Sequence, residues 1–92
     1  MVAPMDGRNF ERSLKALANG RRLAILRALK KQRELSVTAI AEKIKLSFRS
    51  TSRHLAILSA AEIVSREQRS LQVFYRIRDP LARIVSAILS LL

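Results

Sequence analysis

Residues 46–58 read Leu-Ser-Phe-Arg-Ser-Thr-Ser-Arg-His-Leu-Ala-Ile-Leu, and the interpretation of the whole chain depends on them. Ser47 is a good helix N-cap, because its hydroxyl can accept one of the backbone N–H groups that the first turn leaves unpaired. At about 100° per residue, Thr51, Leu55 and Leu58 share one face of the predicted helix. The opposite face carries Arg49, Ser52, Arg53 and Ala56. The stretch therefore predicts a helix with one apolar face and one short, polar, cationic face.

A short cationic helix face of this kind suits the major groove of DNA. Arginine can pair bidentately with guanine, serine can bond bases or phosphates, and small side chains let the backbone come close. An ordinary amphipathic helix with a solvated basic face is the alternative interpretation. The helix alone does not decide between the two, so the segments around it have to.

The composition points to an anionic partner and excludes most kinds of site. With 92 residues, 49% of them hydrophobic, the chain is long enough for one small domain. Its formal net charge of +11 makes nucleic acid the first candidate partner and an anionic membrane surface the second. There is no cysteine and only one histidine, so thiolate metal sites, histidine clusters, disulfides and most catalytic sites are excluded, and an enzyme is the least expected class. No apolar run can span a bilayer and no signal-peptide core is present, so we expect an intracellular protein.

Two helices are predicted in the first third of the chain. Residues 1–7 predict a flexible arm, and residues 8–92 form the domain. The first helix begins at Arg8 and has a narrow apolar stripe. Asn19-Gly20 ends it and introduces a second helix over residues 21–31, whose outer face is basic.

A third predicted helix lies directly before the cationic one. After a polar connection, Ser36 can cap this helix, and Lys45-Leu46 then forms a tight link. Two short helices joined by about three residues, with the second one cationic, form a helix-turn-helix.

After the cationic helix the hydrophobic periodicity becomes alternating. Residues 63–64 and 71–77 flank a polar segment at 65–70, which predicts a β-hairpin. Its tip and flanks carry one acid, Glu67, and four arginines: Arg66, Arg69, Arg76 and Arg78. An edge ribbon kept soluble by its charges is one interpretation. Because the ribbon follows the cationic helix, we favour contact with DNA phosphates or the minor groove.

The last predicted helix is apolar over more than half of its circumference. Asp79 is its expected cap, Pro80 its first residue and Arg83 its only charge. A domain this small cannot bury so much apolar surface, so this helix and the stripe of the first are predicted to join two copies of the chain. The predicted dimer interface is Phe10, Leu14, Leu17, Leu81, Ile84, Val85, Ile88, Leu89 and Leu92. Attachment to a membrane surface is the alternative, but the helix lacks the cationic face of such anchors, so we expect no membrane partner.

The predicted order of helices and hairpin is that of a winged helix-turn-helix, and three segments resemble ArsR/SmtB-type regulators of bacteria and archaea. Residues 14–26, LKALANGRRLAIL, resemble the family's LADPTRLRIL opening. Residues 52–55, SRHL, together with Leu58 resemble the SRHLxxL of its recognition helix, and residues 73–77, VFYRI, resemble the second strand of its wing. The resemblance implies a mainly α fold with a small β-hairpin over residues 10–92.

The departures from the family pattern concern metal binding and two turns. Residues 34–40 read ELSVTAI where metal-sensing members have ELCVCDL, so hydroxyls replace both thiolates and bind soft ions poorly. The family's other common site needs Asp and His on the last helix, and residues 80–92 contain neither. We therefore predict no metal site and no cofactor. The wing lacks the glycine that is usual in the family, and Gln68 is near that position. Glu62 occupies the position at which a glycine often ends the recognition helix.

Taken together, these features lead us to expect a homodimeric, sequence-specific regulator, most simply a repressor that covers an inverted-repeat operator on double-stranded DNA. Base edges are assigned to Phe48, Arg49, Ser52 and Arg53, phosphates to Ser47, Ser50 and His54, and the flanking backbone or minor groove to Arg66, Arg69 and Arg76. Packing against the hairpin is the alternative for the histidine. The alternative function is a nucleic-acid-binding, architectural or protein-interaction module without an operator. No inducer is indicated.

Overall fold

A computed structural model describes residues 7–92, with side chains from residue 9 onward, as five helices and three short strands. In chain order these are α1 Gly7–Leu17, α2 Gly20–Gln32, β1 Glu34–Ser36, α3 Val37–Ile44, α4 Phe48–Ala60, β2 Val64–Arg69, β3 Gln72–Ile77 and α5 Arg83–Leu89. This is the predicted winged helix-turn-helix. Of the arm expected at residues 1–7, only Gly7 lies among the described residues, and it begins α1. None of the described helices is long and apolar enough to cross a membrane.

The sheet is antiparallel in the order β1-β3-β2, and β1 was not predicted. Leu35 of β1 lies opposite Tyr75 of β3. Three residues are too few for an alternating pattern to be visible in the sequence, so the polar signals of this segment indicated only a connection and a cap. The cap itself is confirmed, because the Ser36 side chain accepts the N–H of Ala39 at 3.1 Å.

The core lies between the helices and the inner face of the sheet. Leu26 of α2, Ile40 of α3 and Leu55 of α4 are fully buried in it. The whole predicted apolar face of α4 is buried, including Thr51 and Leu58. The orientation of α4 is therefore set by its packing, and its polar face is turned outward.

Both helices of the helix-turn-helix end on a residue in the left-handed conformation that favours glycine. After α3, Lys45 has φ 55°, and the N–H of Leu46 donates to the carbonyl of Ala41 at 3.0 Å. After α4, Glu62 has φ 60°, and the N–H of Ile63 donates to the carbonyl of Leu58 at 2.9 Å. These bonds satisfy carbonyls that a helix end leaves unpaired. Glu62 thus adopts the glycine conformation that its position in the sequence suggested.

The start predicted for the last helix is wrong. The helix begins at Arg83, with Ala82 at its N-cap and no side-chain capping bond. Asp79 and Pro80 are joined by a cis peptide and lie in a bend after β3. Leu81 and Ala82 pack against the core before the helix starts, so tertiary packing overrides the local capping signal.

The predicted hairpin is confirmed, but its strands reach further than expected. Residues 65–69, taken as a polar connection, continue β2, and the turn is the pair Ser70-Leu71 with φ 57° at Ser70. Most of β2 is exposed because the hairpin extends beyond the core. Residues 66–69 of β2 are exposed, so this part of the strand has no need of alternating hydrophobic residues, which explains the missing signal.

Candidate nucleic-acid interface

The N-terminal half of α4 presents most of the predicted base-reading residues on one exposed face. Ser47 caps the helix, and its hydroxyl accepts the N–H of Ser50 at 3.1 Å. Phe48 is 60% exposed, Arg49 and Arg53 are exposed, and Ser50 and Ser52 are half-buried. Long cations, short hydroxyls and one aromatic ring therefore share a convex surface that a major groove can accept.

His54 lies beside this face and is bound by an arginine of α2. Its Nδ1 is 3.1 Å from Nη1 of Arg22, whose Nε donates to the carbonyl of Ala16 at 2.6 Å. Burial and the positive charges of Arg22, Arg21 and Arg53 lower the pKa of His54 below its usual value. The neutral ring, with Nδ1 as acceptor, carries its proton on Nε2, which can donate to a phosphate. The predicted phosphate contact stays a prediction.

Arg22 is a residue that the sequence did not single out. Besides the bonds above, its Nη2 donates to the carbonyl of Lys15 at 3.2 Å, so it joins the end of α1 to the middle of α4. Its position just after the Asn19 cap gave no sign of this role, because the partner His54 is 32 residues away in sequence.

Arg69, which was predicted to contact DNA, is bound by two carboxylates within the chain. Its guanidinium donates to the two carboxylate oxygens of Glu34 at 2.9 and 2.8 Å, and to those of Glu67 at 3.1 and 3.0 Å. It also lies 4.7 Å from the ring centroid of Phe74. Hydrogen bonds to both carboxylates raise the pKa of Arg69 above its usual range, and the bond from Arg69 lowers the pKa of Glu67. With its donors engaged by two acids, Arg69 ties β2 to β1 and is poorly placed to bind phosphate.

The other wing arginines do not converge on one surface. Arg66 lies opposite Tyr75, a core residue, so it belongs to the inner face of the sheet. Arg76 is the next residue of β3 and therefore points to the outer face. Arg78 pairs with Glu62 at 3.6 Å. The wing thus presents fewer unpaired arginines on one surface than predicted, and Leu71, which is 97% exposed, occupies its tip.

The apolar surface of α1 and α5 is narrower than predicted. Leu17, Val85 and Leu89 are buried in the core of the single chain, because α5 packs its inner face there, so they are not free to form an interface. Phe10 and Leu14 remain 42% and 39% exposed. The half-buried members of the predicted set are Leu81, Ile84, Ile88 and Leu92. Leu91, which belongs to the apolar sequence of the predicted last helix, is 84% exposed.

Among residues 7–92 no three His, Asp or Glu side chains come close enough together to hold a metal ion. Where metal-sensing members of the resembled family carry their first thiolate, Ser36 here caps α3 through its hydroxyl.

The chain is similar to several bacterial regulators over the part described above. Nodulation protein NolR of Rhizobium meliloti is 40% identical over 62 residues, which is 67% of this chain and 50% of NolR. Transcriptional repressor PagR of Bacillus anthracis is 33% identical over 67 residues, 73% of this chain and 67% of PagR. The matched region thus spans half the length of NolR and about two thirds of PagR.

Solved structures extend the similarity to nearly the whole fold. The PagR structure has a TM-score of 0.76 at 30% identity, covering 91% of this chain and 92% of PagR. The homodimeric winged helix-turn-helix DNA-binding domain Mb0332 of Mycobacterium bovis has a TM-score of 0.79 at 31% identity, covering 99% of this chain and 89% of that domain. The profile described as bacterial regulatory protein, arsR family, matches residues 19–66, from the cap of α2 into β2. The chain therefore belongs to the arsR family of bacterial regulatory proteins.

Proposed function

We propose that this protein is a homodimeric, sequence-specific DNA-binding repressor of transcription that acts in the cytoplasm, where bacterial DNA lies. The observation that carries the proposal is the division of α4 into a fully buried apolar face and an exposed face of arginine, serine and phenylalanine. PagR, a transcriptional repressor, supports the direction of regulation. The role is binding rather than catalysis.

In this proposal α4 enters the major groove. Phe48, Arg49, Ser52 and Arg53 approach base edges, while Ser47, Ser50 and His54 bond phosphates through hydroxyl or imidazole donors. Of the wing arginines, Arg66 is the one on the inner face of the sheet, the side on which α4 packs against β2. Arg66 is therefore the wing contact that we retain.

The proposed dimer joins the exposed apolar side chains of α1 to apolar side chains of α5 and of the residues after it, across a two-fold axis. Phe10 and Leu14 contribute from α1, Ile84 and Ile88 from α5, and Leu91 from the residues after it. A second copy supplies the same apolar surface, and the homodimeric state of Mb0332 supports this arrangement. Two-fold symmetry implies an inverted-repeat operator with half-sites about one helical turn apart.

Selection from a random duplex library, followed by anisotropy titration, tests the proposal. We expect an enriched inverted repeat that binds more than about a thousandfold tighter than a scrambled duplex at about 150 mM salt. Equal, steeply salt-dependent binding of both duplexes would instead support the architectural alternative, because phosphate contacts alone carry no sequence information.

A further inference from the structure

A cleft of about 490 Å³ opens at the base of the wing, between the C-terminal end of α2 and the sheet. Three cationic side chains line it: Lys30 near the end of α2, Arg33 at the C-cap of α2, and Arg76 on β3. The lining contains one acidic side chain, Asp79. The cleft is therefore positively charged, and none of its lining residues belongs to α4.

Arg76 lines this cleft without an ion pair among the described residues, although its charge contributes to the lowered pKa of Glu67. The strand register places Glu34 directly across from Arg76. Both oxygens of Glu34, however, accept hydrogen bonds from Arg69 at 2.9 and 2.8 Å. Within residues 7–92 neither Arg33 nor Arg76 forms an ion pair. Two guanidinium groups are thus left available on the walls of one cleft.

The rest of the lining combines an apolar surface with hydrogen-bonding groups. Ile77, which is half-buried, supplies most of the apolar part, because Leu29 is only 1% exposed. Ser65, the cross-strand partner of Arg76, supplies a hydroxyl. The ammonium of Lys30 donates to the carbonyls of Leu89 and Leu92 at 2.8 and 2.9 Å, so it is fixed in place at the edge of the cleft. A volume of this size suits a small molecule.

We propose that this cleft binds a small organic anion, with its acid group held by Arg33 and Arg76 and its apolar body against Ile77. Guanidinium groups match the planar geometry of a carboxylate or phosphate and form charge-assisted hydrogen bonds with it. Ser65 and Asp79 can bond a hydroxyl or amine of the ligand. Such a ligand contacts the base of the wing and lies beside the lysine that holds the end of α5.

An NMR titration of the whole chain without DNA tests this site. The probes are benzoate, its neutral analogue benzamide, and inorganic phosphate. We expect saturable amide shifts at Leu29, Ser65 and Ile77 with benzoate, weaker shifts there with phosphate, and at least about tenfold weaker binding of benzamide, because the acid group supplies most of the attraction. No saturation with benzoate or phosphate, or equal binding of benzoate and benzamide, would overturn the proposal.

Two variants separate this site from general attraction of anions to a basic chain. Arg33→Gln and Lys31→Gln each remove one positive charge near the end of α2, but only Arg33 lines the cleft. We expect Arg33→Gln to weaken benzoate binding at least about fivefold and Lys31→Gln less than about twofold. Arg76→Gln provides a second test if Arg33→Gln disturbs the fold. Equal weakening by Arg33→Gln and Lys31→Gln would show attraction by net charge alone and would contradict the assignment.

Discussion

Arg69 and Glu34 lie 35 residues apart in sequence, yet two hydrogen bonds of 2.9 and 2.8 Å join the guanidinium of one to the carboxylate of the other. Arg69 is at the end of β2 in the wing, and Glu34 begins β1, the strand that leads directly into α3. The pair therefore ties the wing to the strand that enters the helix-turn-helix.

The first prediction is that this pair is internal to the protein and not a phosphate contact. The double variant Arg69→Gln with Glu34→Gln keeps the net charge constant. We expect it to leave the slope of log K against log salt unchanged, while Arg66→Ala reduces that slope by about one. Anisotropy titrations at several salt concentrations measure both slopes. A reduction by the double variant as large as that of Arg66→Ala would mean that Arg69 binds phosphate.

The second prediction concerns Thr51, whose buried Oγ1 finds no hydrogen-bond partner among the residues that the structure describes. Valine has the same shape without the hydroxyl, so Thr51→Val is expected to raise the free energy of unfolding by about 1 kcal/mol. Urea denaturation measures this change. Thr38→Val, at an exposed position of α3, is the control and should have little effect. Destabilisation by Thr51→Val would indicate that the hydroxyl is bonded after all.

The third prediction is a pH dependence of stability through His54. Its pKa is lowered in the folded state, chiefly by burial and then by Arg22, so the folded protein favours the neutral ring. Below its ordinary value of about 6.5 the unfolded chain binds the proton more readily, and stability is lost as the pH falls. In urea denaturation between about pH 7 and pH 5, the wild type should therefore lose more stability than His54→Asn. The same pH dependence in both proteins would contradict the lowered pKa of His54 in the folded state.

The fourth prediction concerns dimerisation through α1 and α5. Leu14→Glu places a charge on the exposed apolar surface of α1, and we expect the dissociation constant of the dimer to rise by at least about tenfold. Sedimentation equilibrium measures it. Leu71→Glu is the matched control, since Leu71 is at the wing tip and far more exposed than Leu14. If Leu14→Glu dimerises as tightly as the control, the interface lies elsewhere.

Local signals were enough to predict α4 and its orientation. Ser47 caps the helix as its position suggested, and Thr51, Leu55 and Leu58 are buried as their spacing required. The helix-turn-helix could be predicted for the same reason, since each of its parts is specified by residues close in sequence.

What the sequence did not reveal depends on residues that only the folded sheet brings together. The bonds of Arg69 to Glu34 require β1, which is too short to be recognised. The separation of Arg66 from Arg76 requires the strand register, and the burial of Val85 and Leu89 requires the packing of α5. These contacts explain why fewer wing arginines are unpaired, and why the proposed dimer surface is narrower, than the residue types suggested.

Replacing Arg53 shows whether the exposed face of α4 reads base sequence. The measurement is the affinity of Arg53→Ala for the selected operator and for a scrambled duplex at one salt concentration. We expect a loss of about 1–3 kcal/mol of binding free energy on the operator and a much smaller loss on the scrambled duplex, because a bidentate base contact disappears. The control is Arg27→Ala, which removes the same charge from the exposed surface of α2 and should affect both duplexes alike. Equal losses of affinity for both duplexes with Arg53→Ala would mean that Arg53 does not read base sequence.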